Sequence, residues 1–419
     1  MTDKPVLNVT LIGEAWHGKS TLLGRLLHDL GEVSDKLIDR MRSLASSLGR
    51  PGSYYAFLVD RRLEERRSGH TLDLSAWRPV DLGPFRAKFV DLPGLLRHVK
   101  NAIPGVSQAD AVLAVLDASS GLEPGALTGL REHLAFCSAF GVRQAVVVVN
   151  KMDLAGYGRG AFEKAVGTFE GLLADLGLDL RASYVPASAL GGDNLVEPSG
   201  RMSWYDGPTV LEALRGLKVP ERPVRGPLRL PVHRYYDAAR AATGVLRSGM
   251  LRVGSDVLVL PSGARGSVES IRAWDQELEE AGPGEDVGVR LKGVARYDLK
   301  KGSVICGPDD APTVAGVIEA EVKAIGPVEL RKGSCPILYC HEASAQVRIE
   351  AITVGGREVE VLKPGSEGTL VMKSMASGRK GLVIEPYGWV PSMSGLALRM
   401  SVGPAGTLTV AMGKCSSVE

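Results

Sequence analysis

Residues 6–30 leave this chain little choice of fold. An apolar, β-rich run, VLNVTLI over 6–12, passes straight into Gly13-Glu-Ala-Trp-His-Gly-Lys19-Ser20, and Leu22, Leu23, Leu26, Leu27 and Leu30 then recur at helical spacing. Strand, glycine-framed loop and helix in that order are the context a GxxxxGKS phosphate loop requires; elsewhere the same wording is only a turn. Backbone N–H groups of such a loop cradle phosphate oxygens, with Gly13, His17, Gly18, Lys19, Ser20 and Thr21 as the binding residues. Lys19 neutralises the phosphates and the Ser20 hydroxyl holds Mg²⁺.

A second motif, Asn150-Lys-Met-Asp153, supplies the choice of base. A carboxylate at position 153 accepts hydrogen bonds from N1–H and N2–H₂ of guanine, whereas adenine presents an acceptor at N1 and would leave a buried carboxylate unpaired. Between the two motifs stand Thr71 and Asp91-Leu-Pro-Gly94. Together the four read as a guanine-nucleotide switch, with GTP and GDP as its ligands.

Apolar strands recur at 6–12, 86–91, 111–117, 143–149 and 181–187, alternating with segments of helical character. Such near-continuous runs belong to a mostly parallel, doubly wound sheet covered on both faces. From residue 218 the texture changes: KVPERPVRGP reads as a linker, and short β-patterned runs broken by glycine and proline follow. The expected architecture is an α/β P-loop domain over 1–217, then two all-β barrel domains over 228–308 and 313–419, divided near CGPDDAPT.

Composition narrows the rest. A net charge of +2 gives no global field for nucleic acid, so such a surface has to be a local patch. Arg61, Arg62, Arg66 and Arg67 offer one, or with Glu64 and Glu65 an ordinary solvated helix face. Five cysteines, an odd number in a large chain with no secretory leader, point to a reduced, cytoplasmic protein. Cys335, Cys340 and His341 are spaced like part of a metal clip, yet PILYCH reads as a strand, which favours buried strand cysteines. No apolar run approaches the ~20 residues of a membrane span.

The wording and order of these parts resemble translational GTPases of the elongation factor 1-alpha and elongation factor Tu type. NVTLIG…HGKSTLLGRLLHDLG, KNAIPGVSQADAVLAVLDA and REHLAFCSAFGVRQAVVVVNKMD look like the G domain; PILYCHEASAQVRIEAI, SEGTLVMKS and LALRMSVGPAGTLTVAMGKC look like the third-domain barrel. NKMDLAGY, SALGGDN and WYDGPT are also similar to the GTPase subunit of bacterial ATP sulfurylase. The resemblance implies that Lys19 binds the β- and γ-phosphates and that Ser20 and Thr71 coordinate Mg²⁺, Thr71 as the switch I threonine. It implies that Asp91 holds the Mg²⁺ shell through water and that the Gly94 N–H senses the γ-phosphate. Asn150 and Asp153 would read guanine, Lys151 would pack along the nucleotide, and Ser188, Ala189 and Leu190 would back the base.

Three departures from that family stand out. Its water-positioning switch II histidine is Leu95 here, and losing such a group costs about 10² to 10⁴ in rate, so slow hydrolysis is expected; His98 is either a stand-in or an exposed histidine without a catalytic role. Trp16 replaces a small acidic residue and would cover the nucleotide or pack under switch II. Arg247, in Gly244-Val-Leu-Arg247-Ser-Gly249, stands where the family has a glutamate that contacts the end of aminoacyl-tRNA; it would favour an anion there or be a surface arginine. The expected function is a specialised elongation factor 1-alpha-like carrier that binds aminoacyl-tRNA or related RNA when GTP-loaded, with the ribosome as a partner. The alternatives are the regulatory GTPase of a nucleotidyl-transfer complex, docking a transferase partner, and a pseudo-GTPase binding module.

Overall fold

The computed structural model describes residues 4–120, 122–123, 126–376, 381–388, 390–402 and 406–419. Residues 403–405, within the family-like stretch LALRMSVGPAGTLTVAMGKC, lie outside the described residues. The chain divides into two compact units, residues 1–134 with 142–220 and residues 135–141 with 221–419.

In the first unit the chain order is β1 (Val6–Ile12), α1 (Lys19–Asp29), α2 (Asp35–Ser47), α3 (Ala56–Val59), α4 (Leu63–Ser68), β2 (Ser75–Asp81) and β3 (Arg86–Asp91). It continues through α5 (Ile103–Ser107), β4 (Ala111–Asp117), α6 (Thr128–Phe140), β5 (Gln144–Asn150), α7 (Arg159–Leu176), β6 (Arg181–Pro186) and α8 (Val210–Arg215). The six strands form one sheet in the order β2-β3-β1-β4-β5-β6, parallel except for β2. β1, β3 and β4 fall where the apolar runs predict them, while β5 runs one residue later and β6 stops at 186.

The leucines after the phosphate loop explain why α1 forms and where it packs. Leu22, Leu23, Leu26 and Leu27 are fully buried against Leu7, Val9 and Leu11 of β1 and Leu113 and Val115 of β4. Burying each such side chain is worth about 1.5–3 kcal/mol. Gly24 lies on the helix face toward Tyr55, whose carbonyl oxygen would stand 2.1 Å from an added Cβ, so the segment leading into α3 lies directly on α1.

The second unit is all β. Its first sheet orders Arg229–Pro231, Val304–Cys306, Asp256–Leu260, Ala264–Ala273, Asp286–Lys292, Ala241–Val245 and Arg234–Tyr236, and a bridge between Arg229 and Ser248 ties its ends together. The second runs Ile337–Cys340, Gly395–Ser401, Thr407–Val418, Val317–Ala324, Glu367–Ser374, Ala343–Val354. Pairing of Ile337–Cys340 with Ala343–Val354 closes these six strands into a barrel. No described helix is long and apolar enough to cross a membrane.

Inside this unit Arg229 is fully buried: Nε and Nη2 each donate to Glu385 at 2.7 Å, and Nη2 and Nη1 also donate to the carbonyls of Asp310 and Leu228. Leu260, Val304, Cys306, Val383, Val390 and Met393 form a separate apolar cluster that includes Cys306, the register partner of Arg229. Arg247 is half-buried rather than a surface arginine, and its charge helps hold the Glu342 carboxyl down. Burial pushes that carboxyl up; the His233 hydrogen bond at 3.0 Å, with the charges of His233, Lys301 and Arg247, outweighs the push.

The Cys335–His341 segment is corrected in part. Cys340 is buried in its strand, but Cys335 precedes the strand and is exposed. Among the described residues no group of three or more His, Cys, Asp or Glu is placed to hold a metal. His341 is fully engaged as a neutral ring, with Nε2 donating to Val383 O at 2.7 Å and Nδ1 accepting from the Glu342 N–H at 2.7 Å. Burial pushes its pKa down from 6.5 to about 4. Protonation then favours the unfolded chain, so His341 contributes fully above about pH 6.5 and loses its contribution as the pH falls through about 4. Thermal unfolding between pH 7 and 4 should show this as about 3 kcal/mol of lost stability. His341→Asn should lose about 3 kcal/mol less than the wild type over that window, in which His17 also titrates, and an equal loss in both proteins would contradict the assignment.

Candidate nucleotide-binding site

The motifs meet at the C-terminal ends of β1, β3, β5 and β6, the edge at which open α/β sheets bind ligands. Gly13 has φ +141°, and a Cβ there would stand 2.4 Å from Val115 O, so the phosphate loop lies flat on β4. Gly18, at φ +93°, ends the loop and caps α1, whose N-terminal N–H groups favour an anion. Lys19 is buried and its Nζ donates to the carbonyls of Gly13 at 3.0 Å and Glu14 at 2.8 Å. Burial lowers its pKa, against the charges of Asp91, Glu14 and Asp60.

Two further side chains of the loop are His17 and Trp16. His17 is buried with Nδ1 3.3 Å from Val115 O; burial, then the charge of Lys19, pushes it down to about 4, so the ring is neutral. Trp16, expected over the nucleotide or under switch II, lines the cleft, is 62% exposed and rests on the His70 ring, centroids 4.6 Å apart.

Around Ser20 the oxygens converge. Ser20 Oγ donates to Asp91 Oδ2 at 2.6 Å and lies 3.4 Å from Thr71 Oγ1, which donates to Asp60 Oδ1 at 3.3 Å. Asp91 Oδ1 is buried and accepts no hydrogen bond. Burial pushes Asp91 up to about 6 and, with the neighbouring charges of Asp91 and Glu65, Asp60 up to about 7. Hydroxyl and carboxylate oxygens of this kind fit a hard divalent cation such as Mg²⁺. Asp60 is a member that sequence reading missed, although it ends the apolar run YAFLV.

The segment carrying Thr71 is held by a residue that composition disguised. Glu65, one of the expected solvated helix residues, is buried: Oε2 accepts from Arg62 N and Oε1 from Leu72 N. Arg66 donates to the carbonyls of Asp60 and Phe57 and Arg62 pairs with Asp73, so these two arginines serve the fold of the segment. Gly94 packs against the phosphate loop, where an added Cβ would stand 2.5 Å from Ala15 N and 2.6 Å from Lys19 Nζ. Leu95 lines the same cleft as Lys19, Thr71, His70 and Arg50. His98, in the 3-10 turn beyond it, is half-buried rather than exposed.

On the base side Asn150 is buried and engaged at both ends: Nδ2 donates to His17 O and Oδ1 accepts from Ala189 N, each at 2.9 Å. It therefore joins three loops beside Lys151 and Asp153. Lys151 has its stem along the cleft and its Nζ on Asp117 Oδ2 at 2.6 Å, a partner the sequence did not reveal. Burial raises the Asp117 carboxyl, but Lys151 and Ser119 together bring it below the ordinary range. Ser188 and Ala189 are buried, with Ser188 Oγ accepting from Gly191 N, whereas Leu190 is 45% exposed. Asp153 is exposed, in a turn over 152–157, where the sequence reading has it buried. WYDGPT supports this loop from beneath: Trp204 donates to Tyr157 O and Tyr205 to Tyr184 O.

A phosphate loop on α1, an oxygen cluster at Ser20 and a base loop with Asp153, followed by β-barrels, define a P-loop GTP-binding protein of the translation-factor type. The Elongation factor Tu GTP binding domain matches residues 4–220 and Elongation factor Tu domain 2 matches residues 240–306. Elongation factor 1-alpha of Aeropyrum pernix is 36% identical over 95% of this chain and 94% of its own length, and that of Thermoplasma acidophilum 35% over 100% and 99%. The chain belongs to the elongation factor 1-alpha/elongation factor Tu family of GTPases. The GTP-bound GTPase-like domain of S. cerevisiae Ski7 superposes with a TM-score of 0.81 at 17% identity, covering 99% of this chain and 97% of that one. Elongation factor SelB of Methanococcus maripaludis superposes with 0.70 at 19%, covering 100% and 80%; both likenesses are of fold.

Proposed function

We propose that this chain is a specialised elongation factor 1-alpha-like GTPase of the cytoplasm, with slow intrinsic hydrolysis, that binds aminoacyl-tRNA or a related RNA in its GTP state and acts with the ribosome. GTP lies with its phosphates on Gly13–Thr21 and its base on Asp153, and Mg²⁺ binds among Ser20, Thr71 and Asp91, with Asp60 behind Thr71. Mg²⁺ supplies charge neutralisation at the β- and γ-phosphates. Gly94, already against Ala15 and Lys19, is placed for its N–H to meet the γ-phosphate. The observation that carries the RNA reading is the full-length identity to elongation factor 1-alpha.

The first barrel adds support of its own. Arg240, Arg290, Lys292 and Arg296 line one cleft with Tyr235, where Arg290 pairs with Glu269 and Arg296 with Asp237, and Tyr236, Tyr297 and Trp274 are exposed on the same sheet and its loops; the aromatic rings offer stacking surfaces and the cleft keeps a net positive charge for phosphates. WYDGPT holds the base loop through Trp204 on Tyr157 O, and co-purification of a transferase would favour the nucleotidyl-transfer alternative. Filter binding of aminoacyl-tRNA to the GTP-loaded and GDP-loaded protein tests the proposal. Salt-sensitive retention confined to the GTP form is expected, and equal or absent retention in both forms would reject RNA carriage.

Leu95 bears on rate. Leu95→His should raise single-turnover hydrolysis by no more than about ten-fold. An unchanged rate in a variant that binds GTP normally would show that position 95 does not limit hydrolysis; a wild-type protein that binds GTP without cleaving it would favour the pseudo-GTPase alternative.

A further inference from the structure

We infer that His70 supplies, from switch I, the imidazole that position 95 lacks, and that it orients the water attacking the γ-phosphate; the inference rests on reading this cleft as a GTP site. Among the described residues lining the cleft, His70 alone carries an imidazole, and it shares that lining with Lys19, Ser20, Gly94 and Leu95. His17 is bonded to Val115 O, and His98 is not part of the lining.

The backbone around His70 is fixed on the side that leads away from it. Thr71 Oγ1 lies 3.4 Å from Ser20 Oγ, and the N–H of Leu72 is held by Glu65 Oε1 at 3.0 Å. The ring itself is set by Trp16, with centroids 4.6 Å apart and planes at 49°. Trp16 adopts φ +63°, a left-handed conformation that a bulky residue rarely takes and that surrounding structure has to impose. One residue of the phosphate loop and one of switch I thus form an aromatic pair at the mouth of the phosphate cleft. Leu95 and the pair account for each other: an apolar residue on the switch II side leaves the polar contact to water to come from across the cleft.

The chemistry needs no change of charge on the ring. A ring nitrogen accepts a hydrogen bond from the water and fixes its oxygen in line with the γ-phosphorus. The water oxygen then forms its bond to phosphorus as the bond from phosphorus to the β,γ-bridging oxygen breaks. GDP departs with that electron pair, the proton of the water passes to the released phosphate, and the imidazole is regenerated unchanged.

Single-turnover hydrolysis of γ-labelled GTP, with GTP affinity measured on the same full-length proteins, tests the inference. His70→Leu should lower the rate by about 10²-fold while GTP affinity stays within about two-fold. His70→Gln, whose amide also accepts a hydrogen bond from water, should keep the rate within about ten-fold of wild type. His98→Gln should leave it unchanged. A wild-type rate in His70→Leu, a loss of affinity that matches its loss of rate, or dependence on His98 would overturn the role of His70. A wild-type protein that binds GTP and never cleaves it would overturn this role and leave the GTP site standing, whereas one that takes up no GTP would overturn both.

Discussion

Asp153→Asn is expected to lower GTP affinity by about 10² to 10⁴-fold while leaving thermal stability unchanged. Each hydrogen bond from guanine to a carboxylate is worth roughly 1.5–3 kcal/mol; the substitution keeps one on a weaker, neutral oxygen and turns the other into a clash of donors. The fold should not register the change, because Asp153 is exposed and its turn is held by other atoms. Met152 N donates to Ala187 O at 3.1 Å, Tyr157 N to Met152 O at 2.7 Å, and the Tyr157 hydroxyl to Asp193 at 3.1 Å. The variant offers an N–H where guanine presents its amino group, so it should prefer xanthosine triphosphate, which has an oxygen at that carbon. Competition binding of the two nucleotides reads both effects. Undiminished GTP affinity would mean that the base lies elsewhere.

Arg229→Met should be the most damaging single change in the second unit, at about 3–5 kcal/mol. It leaves Glu385, 4% exposed, without the two 2.7 Å bonds that compensate its burial. Replacing both partners, Arg229→Met with Glu385→Leu, should recover most of that loss, since the neighbours Val383, Val390 and Met393 are apolar. Denaturant titration of the wild type, both single variants and the double variant gives the coupling directly. A single-variant loss below about 1 kcal/mol would show that the pair carries little.

Legibility followed the range of the interaction. β1, β3 and β4 could be read from sequence because a strand buried on both faces is apolar almost throughout, and the phosphate loop because its residues are consecutive. β2 could not: Pro79 and a register shift between Trp77 and Val80 break its pattern, as an edge strand tolerates. Asp60 and Glu65 were hidden in a segment whose arginines read as solvated, and their roles appear only when Thr71 folds back on them. His70 carries no motif of its own, and only the fold brings its ring into one cleft with Leu95. Arg229 and Glu385 stand 156 residues apart, beyond any spacing rule. For Asp153 the sequence identified the residue and misjudged its surroundings, taking the burial of a complex for that of the protein.

In the function proposed, one nucleotide is held by its base at Asp153 and by its phosphates at Lys19. Calorimetric titration of the full-length protein with GTP and with ATP, each with Mg²⁺, tests that most directly. A GTP affinity at least about 10²-fold above that for ATP is the expected result. Equal uptake of the two nucleotides, or none of either, would contradict it.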